Sequence, residues 1–329
     1  MMNFFLRGFG RYAPEKVLTN ADLEKIVETT DEWITSRTGI KQRHIAAEGE
    51  TTSDMAFESS KRALAEAGMD PSELTHIICA TFTPDSMIPS AACRLQEKFG
   101  IVGQMCLDVQ AACSGFLYAL QTGRGYLCLE PDSKVLVVAS EIVSRRVNWE
   151  DRSTCVLFGD ASGAAIMTSG ADDLDAPRVL DVMLAADGSL GDLLTVNGGG
   201  SAYSYKLGEG VGPEFFVEFQ GREVFKHAVR NMTDMSEAIL KRNGLEKSDV
   251  DVLLPHQANF RIIDAVGRRF NIPKEQVFVN VHKYGNTSAA AVPVALAEAV
   301  QTGFIKKGDL VLIPTFGGGF TWGAALVRF

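Results

Sequence analysis

The sequence contains no C-x-x-C pair, no unbroken run of about 20 apolar residues and no excess of basic charge, and each absence excludes a class of protein. Its six cysteines, Cys79, Cys93, Cys106, Cys113, Cys128 and Cys155, are irregularly spaced and lie mostly in apolar runs. They read as reduced thiols rather than as a disulfide frame or a zinc site. The opening Met1-Met2-Asn3-Phe4-Phe5-Leu6-Arg7-Gly8 has too short an apolar stretch for a secretory signal, so a soluble, cytoplasmic protein that does not enter a membrane is expected. A net charge of −9 and a pI near 5.2 argue against general affinity for nucleic acid or an anionic surface. What the chain does have is 329 residues at 46% hydrophobic content, enough for two core units or one large duplicated α/β unit.

Two stretches of the chain follow the same plan. A helical pattern over 53–67 turns at Gly68 and leads into the apolar run 74–80; a second over 225–242 turns at Gly244 and leads into 250–254. The next pair is 107–115 and 278–289, each read as a strand running into a helix that starts with small residues. The β-branched runs 134–140 and 309–315 follow, then 163–167 and 323–327. Short apolar runs with little alternation imply strands buried on both faces, hence an α/β fold with two mixed sheets covered and separated by helices. The polar stretch after Gly170 sets the expected halves at 1–170 and 171–329. Residues 197–213, rich in glycine, serine and tyrosine, form an irregular surface loop longer than most connections.

Cys113 lies where the apolar run 107–112 meets small residues and a helical pattern, so its sulfur is placed at a helix N-terminus. Unpaired N–H groups and the positive end of the helix dipole favour a thiolate there. His256, in Pro255-His256-Gln257-Ala258-Asn259, falls just beyond a strand end, where α/β folds place their chemistry. Asn286, in Tyr284-Gly285-Asn286-Thr287-Ser288, is either a helix cap or a donor beside the matching helix. Phe316-Gly317-Gly318-Gly319-Phe320 is either a tight bend or an oxyanion hole; with no Gly-Lys-Ser/Thr after it, it is not a phosphate loop. The duplication brings these loops to one place.

Ala111-Ala112-Cys113-Ser114-Gly115-Phe116, His256-Gln257-Ala258-Asn259, Gly285-Asn286-Thr287-Ser288-Ala289 and Phe316-Gly317-Gly318-Gly319-Phe320-Thr321-Trp322-Gly323 resemble the motifs of β-ketoacyl-acyl carrier protein synthase III, a condensing enzyme of the thiolase superfamily. The likeness runs from Gly8 to Phe329. It implies a thiolase-like five-layered αβαβα sandwich of two pseudo-symmetric halves, a homodimer, and decarboxylative condensation of an acyl-CoA primer with malonyl-acyl carrier protein. Cys113 then takes the acyl group. His256 and Asn286 hydrogen-bond the malonyl thioester carbonyl, and the N–H groups of Cys113 and Gly318 form the oxyanion hole. No metal or cofactor is implied, acyl-CoA being a substrate.

The resemblance further assigns Trp33 to the adenine of coenzyme A, Arg37 to a phosphate, Arg152 to the other side of the base and Asn259 to the pantetheine tunnel. Without it, Trp33 and Arg37 read as an ordinary helix pair. Arg261, Arg268 and Arg269, with Lys226, form a basic patch fit for an acidic carrier protein, two of the arginines projecting from one helix face. Phe316 lines the acyl pocket, and Ile88 takes a pocket-lining, dimer-contact position that is phenylalanine in some members. Arg222 stands where some members have a tunnel asparagine. With the longer loop 197–213, these departures leave open the primer and the acceptor, including a secondary-metabolic condensing enzyme. Cys113, His256 and Asn286 also fit a cysteine hydrolase, and a noncatalytic scaffold is the remaining alternative.

Overall fold

The computed structural model describes residues 2–329 apart from 172–175, 204, 207 and 209, so part of the expected boundary and part of the loop 197–213 lie outside the described residues. In chain order the first half comprises β1 (Asn3–Tyr12), β2 (Lys16–Thr19), α1 (Asn20–Leu23), α2 (Asp31–Thr38), β3 (Gln42–Ile45), α3 (Thr52–Ala67), β4 (His76–Ala80), α4 (Ala91–Phe99), β5 (Met105–Val109), α5 (Gly115–Leu129), β6 (Val135–Ile142), α6 (Arg152–Cys155) and β7 (Asp160–Gly170). The second comprises β8 (Arg178–Ala186), β9 (Leu194–Thr195), β10 (Glu218–Phe219), α7 (Gly221–Arg242), β11 (Val252–Leu253), α8 (Phe260–Phe270), α9 (Val281–Tyr284), α10 (Ala291–Gln301), β12 (Leu310–Gly317) and β13 (Thr321–Arg328).

Local chemistry sets the ends of the repeated helix. Thr51 accepts from the Asp54 N–H at 3.2 Å while Asp54 accepts from the Thr51 N–H at 2.8 Å, a reciprocal cap that starts α3. Gly68, at φ +65°, ends it in the left-handed conformation glycine adopts without strain.

Two separate sheets were expected; hydrogen bonding instead links nine strands in the order β11-β12-β13-β8-β1-β7-β6-β4-β5. The joint is narrow, a single β1–β8 residue pair, Phe5 with Arg178. On either side of it the pairing pattern repeats. β4 is parallel to β5 and β6, and β6 is antiparallel to β7, which is antiparallel to β1. Likewise β11 is parallel to β12, β12 antiparallel to β13, and β13 antiparallel to β8. The expected strand at 278–281 is absent. Only a parallel bridge between Leu253 and Val277 remains where β5 would have its counterpart. The Gln257 Oε1 accepts from the Asn280 and Val281 N–H groups at 2.9 and 3.2 Å, so the backbone satisfies itself outside a ladder and turns into α9.

Strand alternation builds the layers. Val135, Val137 and Ala139 of β6 and Val311 and Ile313 of β12 share one core with α5 and α10, including Phe116, Leu120, Val292 and Leu296. The opposite faces, Leu136 and Val138 or Leu310 and Leu312, pack under α3 and α4 or under α7 and α8. The result is the five-layered αβαβα order, with α5 and α10 buried between the half-sheets and their N-termini meeting. A Cβ on Gly115 would lie 3.2 Å from the Cβ atoms of both Ala289 and Ala80, so only a small residue lets these helix starts approach. Among the described residues no helix is long and apolar enough to cross a membrane.

Candidate active site

The two buried helix starts meet at Cys113. Strand β5 ends at Val109, and a 3₁₀ turn over Ala112–Ser114 delivers Cys113 to the N-terminus of α5, with Ala112 at φ +44°. In the other half a 3₁₀ turn over Ser288–Ala290 runs into α10, with Ser288 at φ +51°. Non-glycine residues hold such angles only where their surroundings impose them, at a cost of roughly 1–3 kcal/mol each. The Cys113 thiol donates to Ser288 Oγ at 3.7 Å, so the two turns touch at the sulfur.

The thiol is nonetheless buried, and desolvation pushes its pKa up to about 12, opposed by the Ser288 hydrogen bond and reinforced by the Glu141 charge. The helix start therefore does not hold a resting thiolate: burial outweighs it.

His256 follows β11 through Leu254 and Pro255 and is anchored by its own N–H, which donates to the Pro314 carbonyl at 2.9 Å. The residue is 2% exposed, and neither ring nitrogen has a hydrogen-bond partner among the described residues. Leaving such groups unmade costs roughly 1–3 kcal/mol apiece, so the ring is set for something that enters. Burial drives its pKa down to about 3, and the imidazole is neutral near pH 7. Gln257 beside it donates to the carbonyls of Pro255 and Phe278 at 2.8 and 3.2 Å and accepts from residues 280 and 281, fixing the His256 turn to the segment that leads to Asn286.

Asn286 does not cap α10. Its Oδ1 accepts from the Ser288 N–H at 3.0 Å, which orients the amide NH₂ away from its own turn as a donor. Its backbone bonds Leu157 and Gly159. The glycine run begins inside β12, which extends through Gly317 rather than ending at Thr315. A Cβ on Gly317 would sit 2.6 Å from the Cys113 nitrogen, so this glycine lets the strand pass against the Cys113 backbone, and Gly318 follows in the cavity wall.

A cavity of about 960 Å³ joins these groups, lined by Cys113, His256, Asn286, Ser288, Phe316 and Gly318. That is at the upper end of small-molecule sites, roughly 300–1,000 Å³. Toward its mouth it is lined by Trp33, Arg37 and Asn259, and by the cations Arg222, Lys226 and Arg261. The two-stranded pair of β9 and β10 contributes Leu194, Thr195 and Phe219 to one wall. Asn259 also caps α8, accepting from the Ile262 N–H at 3.0 Å.

Several expected positions fall elsewhere. Ile88 is 88% exposed and does not line the cavity of its own chain. Arg152 is likewise outside the lining: its guanidinium lies 4.6 Å from the Trp33 ring centroid and donates to the Glu28 carbonyl at 2.9 Å. Arg37 lies 4.8 Å from the same ring, so both arginines lie against the indole. The basic patch divides. Lys226, paired with Glu223 at 2.7 Å, and Arg261 reach the mouth, whereas Arg268, paired with Asp264 at 2.5 Å, and Arg269 lie outside the lining. Arg261 and Arg268 are two helical turns apart, roughly 10 Å along the axis.

Two family domains match the chain. One, 3-oxoacyl-[acyl-carrier-protein] synthase III, covers residues 107–188 with Cys113; its C-terminal domain covers 240–329 with His256 and Asn286. The chain belongs to the 3-oxoacyl-[acyl-carrier-protein] synthase III family. It is a condensing enzyme, an acyltransferase of fatty acid initiation. The β-ketoacyl-[acyl-carrier-protein] synthase III of Oleidesulfovibrio alaskensis is 59% identical over 324 residues, 98% of each chain, and that of Aquifex aeolicus 47% identical over 322, again 98% of each. Among solved structures, the 3-oxoacyl-[acyl-carrier-protein] synthase III of Aquifex aeolicus superimposes with a TM-score of 0.90 at 46% identity, covering 99% of this chain and all of the other. The Thermus thermophilus enzyme gives 0.90 at 40% identity, over 99% of both chains.

Within this synthase, sequence reasoning missed Glu141. Its carboxylate is fully buried on β6 and accepts from Thr83 Oγ1 at 2.7 Å, Thr81 Oγ1 at 3.1 Å, the Phe82 N–H at 3.2 Å and Ser288 Oγ at 3.1 Å. The signal was an acidic residue closing the apolar run 135–140, where a carboxylate is costly unless it is hydrogen-bonded. Gln257 was in view inside its motif, but its structural role depends on side-chain bonds that spacing does not show.

Proposed function

We propose that this synthase condenses an acyl-CoA primer with malonyl-acyl carrier protein, through an acyl-enzyme on Cys113, to give β-ketoacyl-acyl carrier protein, coenzyme A and CO₂. The observation that carries this reading is that Cys113, His256 and Asn286, drawn from both halves, line one cavity in which His256 has both ring nitrogens unpaired among the described residues.

In the first half-reaction the Cys113 sulfur attacks the primer thioester, and the N–H groups of Cys113 and Gly318 hold the developing oxyanion. In the second, loss of CO₂ from the malonyl group leaves an enolate whose oxygen accepts from His256 and the Asn286 NH₂. A neutral imidazole keeps one N–H and can donate without first gaining a proton, and neither donor adds negative charge beside an anion. The enolate carbon then attacks the Cys113 thioester. These steps draw on hydrogen-bond donors and the leaving CO₂, and call for no cofactor.

Coenzyme A enters past Trp33, with Arg37 on a phosphate and Asn259 along the pantetheine; Arg152, now against the indole, moves aside so that the base stacks between them. Lys226 and Arg261 at the mouth receive the acidic carrier, with Arg268 and Arg269 as outlying contributors. Phe316 bounds the acyl pocket. The active form is a homodimer in the cytoplasm, and the halves divide at 170/171. Strand β5 ends the sheet with one edge unpaired among the described residues, and Met87, Ile88 and Val102 near it are 83%, 88% and 89% exposed. A second copy covering that edge buries them and brings Ile88 to its partner.

The test is to incubate the protein with a panel of acyl-CoA thioesters and map any adduct by peptide mass. An acyl group on Cys113 supports the reading and identifies the primer. Steady release of free acid without an adduct would instead indicate a hydrolase.

A further inference from the structure

Attack by Cys113 requires its proton to go somewhere, and the N–H groups that hold the oxyanion are donors that cannot accept it. His256, neutral down to low pH because it is buried, is a weak base. The structure offers a different path. The Cys113 thiol donates to Ser288 Oγ at 3.7 Å, and Ser288 Oγ donates to Glu141 Oε1 at 3.1 Å. Both hydrogen bonds point the same way, from sulfur to carboxylate. Glu141 Oε2 is held by Thr81, Thr83 and the Phe82 N–H, which leaves Oε1 to Ser288.

We propose that Ser288 and Glu141 form a proton relay that receives the Cys113 proton during acylation and returns it after condensation. The inference rests on the Cys113 acyl-enzyme proposed above. In acylation the Cys113 sulfur–acyl bond forms and the coenzyme A sulfur–acyl bond breaks. The thiol proton passes to Ser288 Oγ as the hydroxyl proton passes to Glu141. Coenzyme A leaves as a thiolate and takes a proton from solvent. In condensation the enolate displaces Cys113 as a thiolate, which draws the proton back from Glu141 through Ser288. The cycle closes with one proton taken from solvent for each CO₂ released. Ser288 touches the reacting sulfur; Glu141 acts through it and is a positioning residue.

The electrostatics suit both directions. Burial raises the Glu141 carboxyl to about 7, against the hydrogen bonds that pull it down, so near neutral pH it both accepts and gives a proton. The titratable groups that face it are Cys113 across Ser288 and Cys79 on β4, whose thiol burial also raises; Asp85 and Asp108 in turn face Cys79.

The experiment measures the rate of Cys113 acylation against pH by rapid quench and intact mass, in the wild type, Glu141→Gln, Ser288→Ala and His256→Ala. Ser288→Ala needs no new backbone, since Ala112 already holds the equivalent conformation in the other half. The wild type is expected to gain acylation rate as pH rises through about 7. Glu141→Gln and Ser288→Ala should both lose that limb and roughly 100-fold in acylation rate, while single-turnover condensation by enzyme already carrying the acyl group falls less, because the Cys113 thiolate leaves before its proton returns. If the limb survives in both variants, or vanishes only in His256→Ala, the relay is wrong. Equal loss of acylation and condensation with the limb intact would show a structural role only, which also overturns it. Absence of any wild-type adduct would instead remove the acyl-enzyme reading itself.

Discussion

Ala112 and Ser288 occupy the same place in the two halves: each opens a 3₁₀ turn before a buried helix, with φ +44° and +51°. By the same register Cys113 corresponds to Ala289 and Asn286 to Gln110. One backbone plan thus presents Cys113 from one half and the Asn286 amide from the other. Ser288 connects them, its hydroxyl accepting from the Cys113 thiol and its backbone N–H donating to Asn286 Oδ1.

His256→Ala should leave acylation of Cys113 within about tenfold of wild type and reduce malonyl decarboxylation by roughly 100-fold or more, the usual effect of removing one oxyanion donor. Intact-mass acylation and ¹⁴CO₂ release measure the two separately. Loss of acylation to the same degree would make His256 the base for the thiol.

Gly317→Ala places a Cβ 2.6 Å from the Cys113 nitrogen, closer than side chains approach backbone, so the strand and the nucleophile turn must move apart. Turnover should fall roughly 100-fold, since displacements near 1 Å have that effect. Circular dichroism separates this from unfolding.

Arg261→Glu, at the cavity mouth, should raise KM for malonyl-carrier protein about tenfold or more and leave acyl transfer from coenzyme A nearly unchanged, with the difference shrinking at high salt. Arg269→Glu, outside the lining, should do less. Equal effects on both half-reactions would contradict docking at the mouth.

The depressed His256 pKa makes stability depend on pH. Between the unfolded value near 6.5 and the folded value of about 3, the unfolded chain binds the extra proton, so this group's stabilising contribution is full above 6.5 and declines as pH falls through that window. Urea unfolding of His256→Gln should therefore show a shallower loss of stability from pH 6.5 to 4 than the wild type. Parallel curves would mean that the ring is not desolvated.

Ile88→Glu should convert a dimer to a monomer in sedimentation velocity, because it puts a charge on the exposed apolar segment beside the β5 edge. A monomeric wild type would contradict the proposed dimer.

Most of the fold was legible because its signals are local and repeated. The capped helix 52–67, the β-branched runs of β6 and β12, and the small-residue helix starts announce themselves in sequence. The segment 278–281 did not, because β propensity there loses to Gln257, which takes the backbone N–H groups a ladder would use. The single β1–β8 residue pair that makes one sheet of two depends on tertiary placement of Phe5 and Arg178. At the site, spacing and resemblance brought Cys113, His256 and Asn286 together. The thiol's burial, the exposure of Ile88 and the Glu141–Ser288 connection depend on distances between elements far apart in the chain.

A chase of isolated acyl-enzyme with malonyl-carrier protein, followed by intact mass, shows whether the Cys113 adduct is an intermediate in condensation. The adduct should disappear in step with one equivalent of β-ketoacyl-carrier protein and one of CO₂. An adduct that persists with malonyl-carrier protein, or leaves only as free acid, would contradict that role.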